Sequence, residues 1–273
     1  MSWTSLRVHP GGRRDEVSAA LFAAGAQGLH EDGSTFVTHF PPEADVAAVL
    51  RAVQVAAPGV LCETAIAEPV DWSVHWRDKL HAHTLGRLTI APVWLAAGYD
   101  PATTVVIDPG MAFGTGDHPT TRGAVRLLQD VVRPGLVVAD LGAGSAVLSI
   151  ACAKLGASRV FAVEYDGDAI SNAEANVLRN GADAVVHVFE GDATVLLPLV
   201  APVDVIAANI ISSVLVELLP AMLSALRAGG AAVLAGILVE ERDTMLEAFS
   251  PDHWRVVRED VEDVWWSVSI AKV

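Results

Sequence analysis

Val138-Ala-Asp-Leu-Gly-Ala-Gly-Ser-Ala-Val147 is the stretch that decides the fold. An apolar strand runs into Gly142 and Gly144, and a helix follows from Ser145. Glycine at such a turn lets a ligand approach the backbone, and the first helical turn offers unpaired N–H groups. Two cofactor classes use this arrangement. The dinucleotide pattern Gly-x-Gly-x-x-Gly fails, because Val147 stands at its third glycine. The S-adenosylmethionine pattern is an acid followed by x-Gly-x-Gly-x-Gly. Asp140, Gly142 and Gly144 meet it, and Ala146 replaces the last glycine.

Downstream, short apolar strands alternate with helices. Strands are expected at 136–140, 160–164, 185–189, 204–208 and 231–234, with helices at 145–155, 168–179, 214–226 and 240–249 between them. Segments 254–258 and 264–270 read as an antiparallel pair. Alternation of this kind predicts an α/β, doubly wound parallel sheet with its chemistry at the carboxyl ends of the strands. Glu164 ends the second strand, 22 positions after Gly142. A carboxylate placed there accepts both ribose hydroxyls of a nucleoside. Asp192 follows the third strand, where an acid meets the exocyclic amine of adenine or simply faces water. Asp166 reads as a helix cap. Asn209 ends the fourth strand, either to cap the next helix or to orient an incoming amine. It is followed by Ile-Ile, not by the Pro-Pro-aromatic run common in nucleobase and glutamine methyltransferases.

Upstream lies Asp108-Pro-Gly-Met-Ala-Phe-Gly-Thr-Gly-Asp-His-Pro-Thr-Thr121-Arg122. Its glycines, prolines and hydroxyls make an ordered loop, and a helix over 120–129 follows it. Phe113, His118 and Thr121 together make this loop the expected lid over a cofactor and its substrate entry.

The chain has 273 residues and a net charge of −15. Direct binding of nucleic acid is not expected of it, because phosphate binding needs clustered Lys and Arg. A basic protein partner suits it better. Cys62 and Cys152 form neither a disulfide framework nor a metal-ligand spacing. No uncharged run reaches the ~18 residues of a membrane helix. Arg13-Arg14 precedes the apolar run 17–30, but Asp15 and Glu16 intervene, so an amphipathic helix is expected rather than an export signal. A cytoplasmic monomer, free of membrane, is the expectation.

Residues 1–65 read as a small α+β unit of strand, helix, strand and helix, in the manner of a ferredoxin-like half-sheet. Residues 66–94 are a connector carrying Trp72, Trp76 and Trp94 with His75, His81 and His83. Packing around a connecting helix is expected there. His81 and His83 are two apart, not the i, i+4 pair of a helical zinc site, so no metal is expected. The rest, 95–273, reads as one further domain, the α/β unit that carries the loop and the glycine turn.

Taken together, the 108–121 loop, the glycine turn, Asn209, the Trp-rich connector and the Gly236-Ile-Leu stretch closely resemble the PrmA family. That family comprises bacterial methyltransferases of a large-subunit ribosomal protein, the eleventh in the standard naming. The resemblance implies a ferredoxin-like domain that recognises the ribosomal protein and a Rossmann-like class I methyltransferase domain using S-adenosylmethionine, without metal. It implies lysine ε-amines and the N-terminal α-amine as methyl acceptors. By position, the cofactor contacts fall on Thr121, Gly142, Glu164 and Asn209, while Phe113 and Gly114 match the closing loop. Three positions depart from the pattern: Ala146 for glycine, Glu164 for the commoner aspartate, and Asp117 for a small residue.

For such a reaction, holding a neutral amine in line with the methyl group is the main task. Asn209 is expected to orient the amine, Phe113 and Trp94 to shape its pocket, and Asp108 or His118 to take a proton if a base is used. Two alternatives share the sequence: a same-fold enzyme acting on another protein or a small amine, and a cofactor-binding module without catalysis.

Overall fold

The computed structural model describes residues 3–26, 28–66, 80–110 and 112–273. The chain divides into two compact units, Met1–Asp78 and Lys79–Val273. In the first, the order is β1 (Thr4–His9), α1 (Arg14–Ala23), β2 (His30–Asp32), β3 (Thr35–Phe40), α2 (Val46–Ala56) and β4 (Leu61–Ile66). The sheet order is β2-β3-β1-β4, antiparallel throughout. This is the complete βαββαβ arrangement; the sequence reading lacked the short β2 and the largely exposed β4. Leu6, Val8, Phe36 and Phe40 bury one face of the sheet against Val17, Leu21, Val49 and Val53. The Asp45 carboxylate accepts from Ala48 N and starts α2.

The second unit opens with β5 (His83–Leu85), β6 (Leu88–Pro92) and β7 (Thr104–Ile107), a three-stranded sheet in that order. The described part of the 66–94 connector, from residue 80 on, is strand and turn rather than the expected helix. Residues 83–92 are a hairpin, and β6 is wholly buried because Leu88 and Ile90 join the main core. Trp72, Trp76 and His75 lie outside the described residues. Next come α3 (Pro119–Val131), β8 (Val137–Leu141), α4 (Val147–Lys154), β9 (Arg159–Glu164), α5 (Gly167–Arg179) and β10 (Val186–Glu190). The chain finishes with α6 (Ala193–Val200), β11 (Val203–Asn209), α7 (Ser212–Ala225), β12 (Leu226–Leu238), α8 (Arg242–Ala248), β13 (Trp254–Glu262) and β14 (Trp265–Lys272).

The main sheet has the order β10-β9-β8-β11-β12-β14-β13. The first five strands are parallel, and β14 runs antiparallel to both of its neighbours. β12 is longer than expected. It begins before Gly229-Gly230, where the register shifts against β11. α6 was not anticipated; Asp192 caps it, and Leu197 is buried under the sheet. Side chains alternate across β8, β9 and β11. Val138, Val160 and Val205 pack toward α3, α4 and α5, while Leu141, Val163 and Ile206 pack toward α6, α7 and α8. The strand order reverses between β8 and β11, and such a switch point is where open α/β sheets bind ligands.

α3 lies unusually close to the far edge of the sheet. A Cβ built at Gly123 would stand 2.6 Å from Ser267 Oγ on β14. Arg122 and Arg126, one helical turn apart, pair there with Glu262 and Asp260 of β13. Alanine ordinarily gains about 1 kcal/mol over glycine inside a helix. Gly123→Ala is expected to do the opposite and lower stability by about 1 kcal/mol or more, because overpacking outweighs propensity. Denaturant unfolding checks the sign, and adding Ser267→Ala should restore most of the loss.

Candidate active site

The turn after β8 is built from alternate left-handed residues. Gly142, Gly144 and Ala146 have φ of 71°, 52° and 64°. Gly142 N and Ala143 N both donate to Val163 O, so the turn hangs from the end of β9. The 113–114 loop lies directly on it. Ser145 N donates to Phe113 O at 2.9 Å, and Ser145 Oγ donates to Gly114 O at 2.7 Å. A Cβ at Gly144 would meet Phe113 O at 2.5 Å, so only glycine fits there. Ala146 is fully buried, and its methyl belongs to the core packed with Val147 and Ile150. The departure from glycine therefore fills core space and does not line the neighbouring cavity.

That cavity, about 300 Å³, is lined by Gly142, Glu164, Asp192, Thr194 and Ile210 among others. Glu164 Oε2 accepts from Gly144 N at 2.7 Å, and Oε1 accepts from Asp166 N at 2.8 Å. Each oxygen keeps a second lone pair. Asp192 Oδ1 accepts from both Thr194 N and Thr194 Oγ1, which holds its carboxyl below the usual carboxylate range. The same residue thus caps α6 and lines the cavity. Asp166 caps α5 through Asp168 N, as its position suggested.

Asp140 is fully buried beneath the turn. Burial raises its pKa to about 6, against the lowering effect of Ser149, whose hydroxyl donates to Oδ2 at 2.6 Å; the Glu164 charge raises it further. Oδ1 has no partner among the described residues. Asn209, at the end of β11, donates from Nδ2 to Thr121 Oγ1 at 3.3 Å. Thr121 is fully buried on the first turn of α3. Asn209 Oδ1 is buried and unpartnered too. An unpaired buried acceptor costs about 1–3 kcal/mol, so each oxygen favours a bound donor.

A second cavity, about 550 Å³, is lined by Leu80, Phe113, Asp117, His118 and their neighbours. Phe113 is 57% exposed. His118 stands edge-on to Phe113 and to Trp265, with centroids 5.5 and 4.8 Å away. Its Nδ1 accepts from Thr120 N and caps α3. Burial, then the nearby Arg122 charge, lowers its pKa against the opposing pull of Asp117. Trp94, expected to shape this pocket, is not among the residues lining the cavity; Trp265 contacts the cavity only indirectly, through its ring contact with His118. Asp117 pairs with His83 Nε2 at 2.7 Å and ties the loop to β5. Asp108, the other expected proton acceptor, pairs with Arg179 at 3.2 Å.

Asn172 and Asn176 on α5 and its C-cap Asn180, given no such role in the sequence reading, hold the start of the loop. Asn176 Oδ1 accepts from Asp108 N, and its Nδ2 donates to Asp108 O and Ser145 O. Asn172 Nδ2 also donates to Asp108 O, while Asn180 bonds both backbone groups of Val106. The spacing 172, 176, 180 places the three on one helix face, a signal readable in the sequence.

Residues 7–273 match the family model described as ribosomal protein L11 methyltransferase (PrmA). A protein of that name from Alteromonas mediterranea is 36% identical over 220 residues, 78% of this chain and 73% of its own length. Another, from Synechococcus sp., is 33% identical over 297 residues, 99% of this chain and 97% of its own. The fold is also similar to the crystal structure of ribosomal protein L11 methylase from Lactobacillus delbrueckii subsp. bulgaricus. That likeness has a TM-score of 0.61 at 29% identity and covers 71% of this chain and 99% of the other. The chain belongs to the ribosomal protein L11 methyltransferase (PrmA) family.

Proposed function

We propose that this chain moves methyl groups from S-adenosylmethionine to amines of ribosomal protein L11, with lysine ε-amines and the N-terminal α-amine as acceptors. The observation that carries this reading is the buried, unpartnered Asn209 Oδ1 beside Thr121 at the switch point of the sheet. Family membership and the names of the relatives support the substrate. The first unit, Met1–Asp78, is proposed to recognise the ribosomal protein, and a cytoplasmic location belongs to the same reading. No helix among the described residues is long and apolar enough to cross a membrane.

The residues present fit the cofactor. Glu164 has lone pairs left for the ribose hydroxyls, Asp192 stands in the same cavity for the adenine amine, and Gly142 lets the ligand touch backbone, while Gly144 N holds the Glu164 carboxylate in place. When bound, S-adenosylmethionine supplies a methyl on a cationic sulfur, which leaves as a neutral thioether once the amine nitrogen bonds the carbon. Asp140, buried under the turn with a pKa raised to about 6, would be ionised at neutral pH and would favour a cationic group bound nearby.

Asn209 Oδ1 accepts an N–H of the acceptor amine and fixes its lone pair toward the methyl group. A free lysine amine has a pKa near ~10.4, and apolar surroundings shift it toward the neutral form. Leu80 and Phe113 supply such surroundings in the 550 Å³ cavity. His118 shapes that cavity and does not take the proton, because Nδ1 already accepts from Thr120 N. The proton passes to solvent.

Incubation of the chain with L11 and S-adenosylmethionine, read by mass spectrometry, should show mass gains in whole methyl groups. Asn209→Ala should lower kcat by about 100-fold, the scale of lost positioning, at saturating cofactor; a normal rate sinks the assignment.

His118→Asn keeps an acceptor for Thr120 N and should retain most activity with an unchanged pH–rate profile. Loss of an ascending limb in that profile would restore His118 as the base. The lowered pKa of His118 also sets a stability window. Its contribution is fully present above the ordinary histidine value of about 6.5 and is lost as pH falls through the lower folded value. Thermal melts of the wild type should therefore lose more stability between pH 7 and 5, values chosen around that pKa, than those of His118→Asn.

A further inference from the structure

Four of the eighteen Lys and Arg side chains of this acidic chain line one cavity of about 570 Å³: Arg87, Arg126, Arg133 and Arg258. It lies at the carboxyl end of α3, where Asp130 and Val132 also line it. The loop of the candidate active site joins the amino end of the same helix, about 20 Å away for 13 residues. This cavity is therefore separate from that site.

The charges do not cancel. Arg126 is matched by Asp260 and Glu262, and Arg258 by Asp130. Arg87 and Arg133 bond only to uncharged groups. Arg87 donates to Gln129 O at 2.7 Å, and Arg133 donates to the carbonyls of Gln129, Asp130 and Val132. Among the described residues neither has a carboxylate partner. Two helix carboxyl ends face the region, those of α3 and of α4 at Leu155, and each carries about half a negative charge. Two unmatched guanidiniums exceed that, so a net positive charge remains. Both keep unused N–H donors in planar forks, the geometry that grips phosphate oxygens. Val132, Pro134 and Leu155 supply an apolar wall alongside.

We infer that this cavity binds a phosphate-bearing anion of about nucleotide size. The phosphate comes from a free diphosphate compound or from the backbone of RNA, and both meet the same forks.

Isothermal titration of the full chain at low salt with inorganic pyrophosphate, and separately with a short oligouridylate, tests this. Neither probe carries an adenine that the 300 Å³ cavity could hold. Saturable binding with Kd below about 1 mM is expected for at least one probe, and the tighter probe identifies the source. Arg87→Gln with Arg133→Gln should weaken binding about tenfold or more. These arginines also hold helix carbonyls, so a second variant guards against unfolding. Asp130→Asn leaves those contacts in place, removes a carboxylate from the lining, and should tighten binding about threefold. No saturable binding of either probe to the wild type overturns the inference. So does an affinity that the double variant leaves unchanged, or that Asp130→Asn leaves unchanged or weakens.

Discussion

The distance between two stretches of backbone governs the site. The 113–114 loop lies so close to the turn after β8 that a single methyl at Gly144 would collide with Phe113 O. In return, two loop carbonyls accept from Ser145, through its amide and its hydroxyl. The backbone N–H just before the N-cap of α4 is thereby satisfied from within the chain. The loop and the turn behave as one piece, and Glu164, bonded to Gly144 N, belongs to it. A nucleoside bound as proposed would meet a surface already held in shape, which lowers the ordering cost of binding.

The loop is held at both ends by unlike means. At its start, buried Asn176 bridges Asp108 and Ser145, and a buried amide with all its groups paired fixes position strongly. The Asp108–Arg179 pair beside it is half exposed and contributes little by comparison. At its end, Arg122 ties Asp117 O to Glu262, and the Asp117 carboxylate reaches His83. The hairpin of β13 and β14 thus supports the loop through α3 and places Trp265 against His118. Strands near the carboxyl end of the chain shape a cavity whose sequence signature lies some 140 residues upstream.

What was legible in the sequence was local. The glycine turn, the strand-end acid Glu164 and Asn209 could be placed because strand, turn and helix follow one another within a few residues. The structure brings Asn209 to Thr121 across 88 positions, a contact no spacing rule gives. The asparagine row on α5 had a readable period, but helical period alone does not say what a polar face meets. The 83–92 hairpin was hidden by a composition rich in Trp and His, which suggested a packed helix. Its strands are fixed by pairing with β7, a tertiary contact that overrides local preference. Trp94 was the expected pocket residue, and its position beside the loop in sequence does not make it line the cavity.

Ala146 shows how a broken pattern can keep its geometry. The rule acid-x-Gly-x-Gly-x-Gly describes alternate left-handed residues, and Ala146 adopts that conformation at φ 64° although it carries a side chain. A left-handed alanine costs roughly 1–2 kcal/mol. Burying its methyl among Val147 and Ile150 returns about 0.8 kcal/mol, and glycine would in addition lose more entropy on folding. The two effects nearly balance, so alanine is tolerated where glycine is usual. At Gly144 no such balance exists, because the added atom would strike a backbone carbonyl that has nowhere to go. What this chain keeps of the motif is thus the backbone path, and each glycine in it is required only as far as its own surroundings exclude a Cβ.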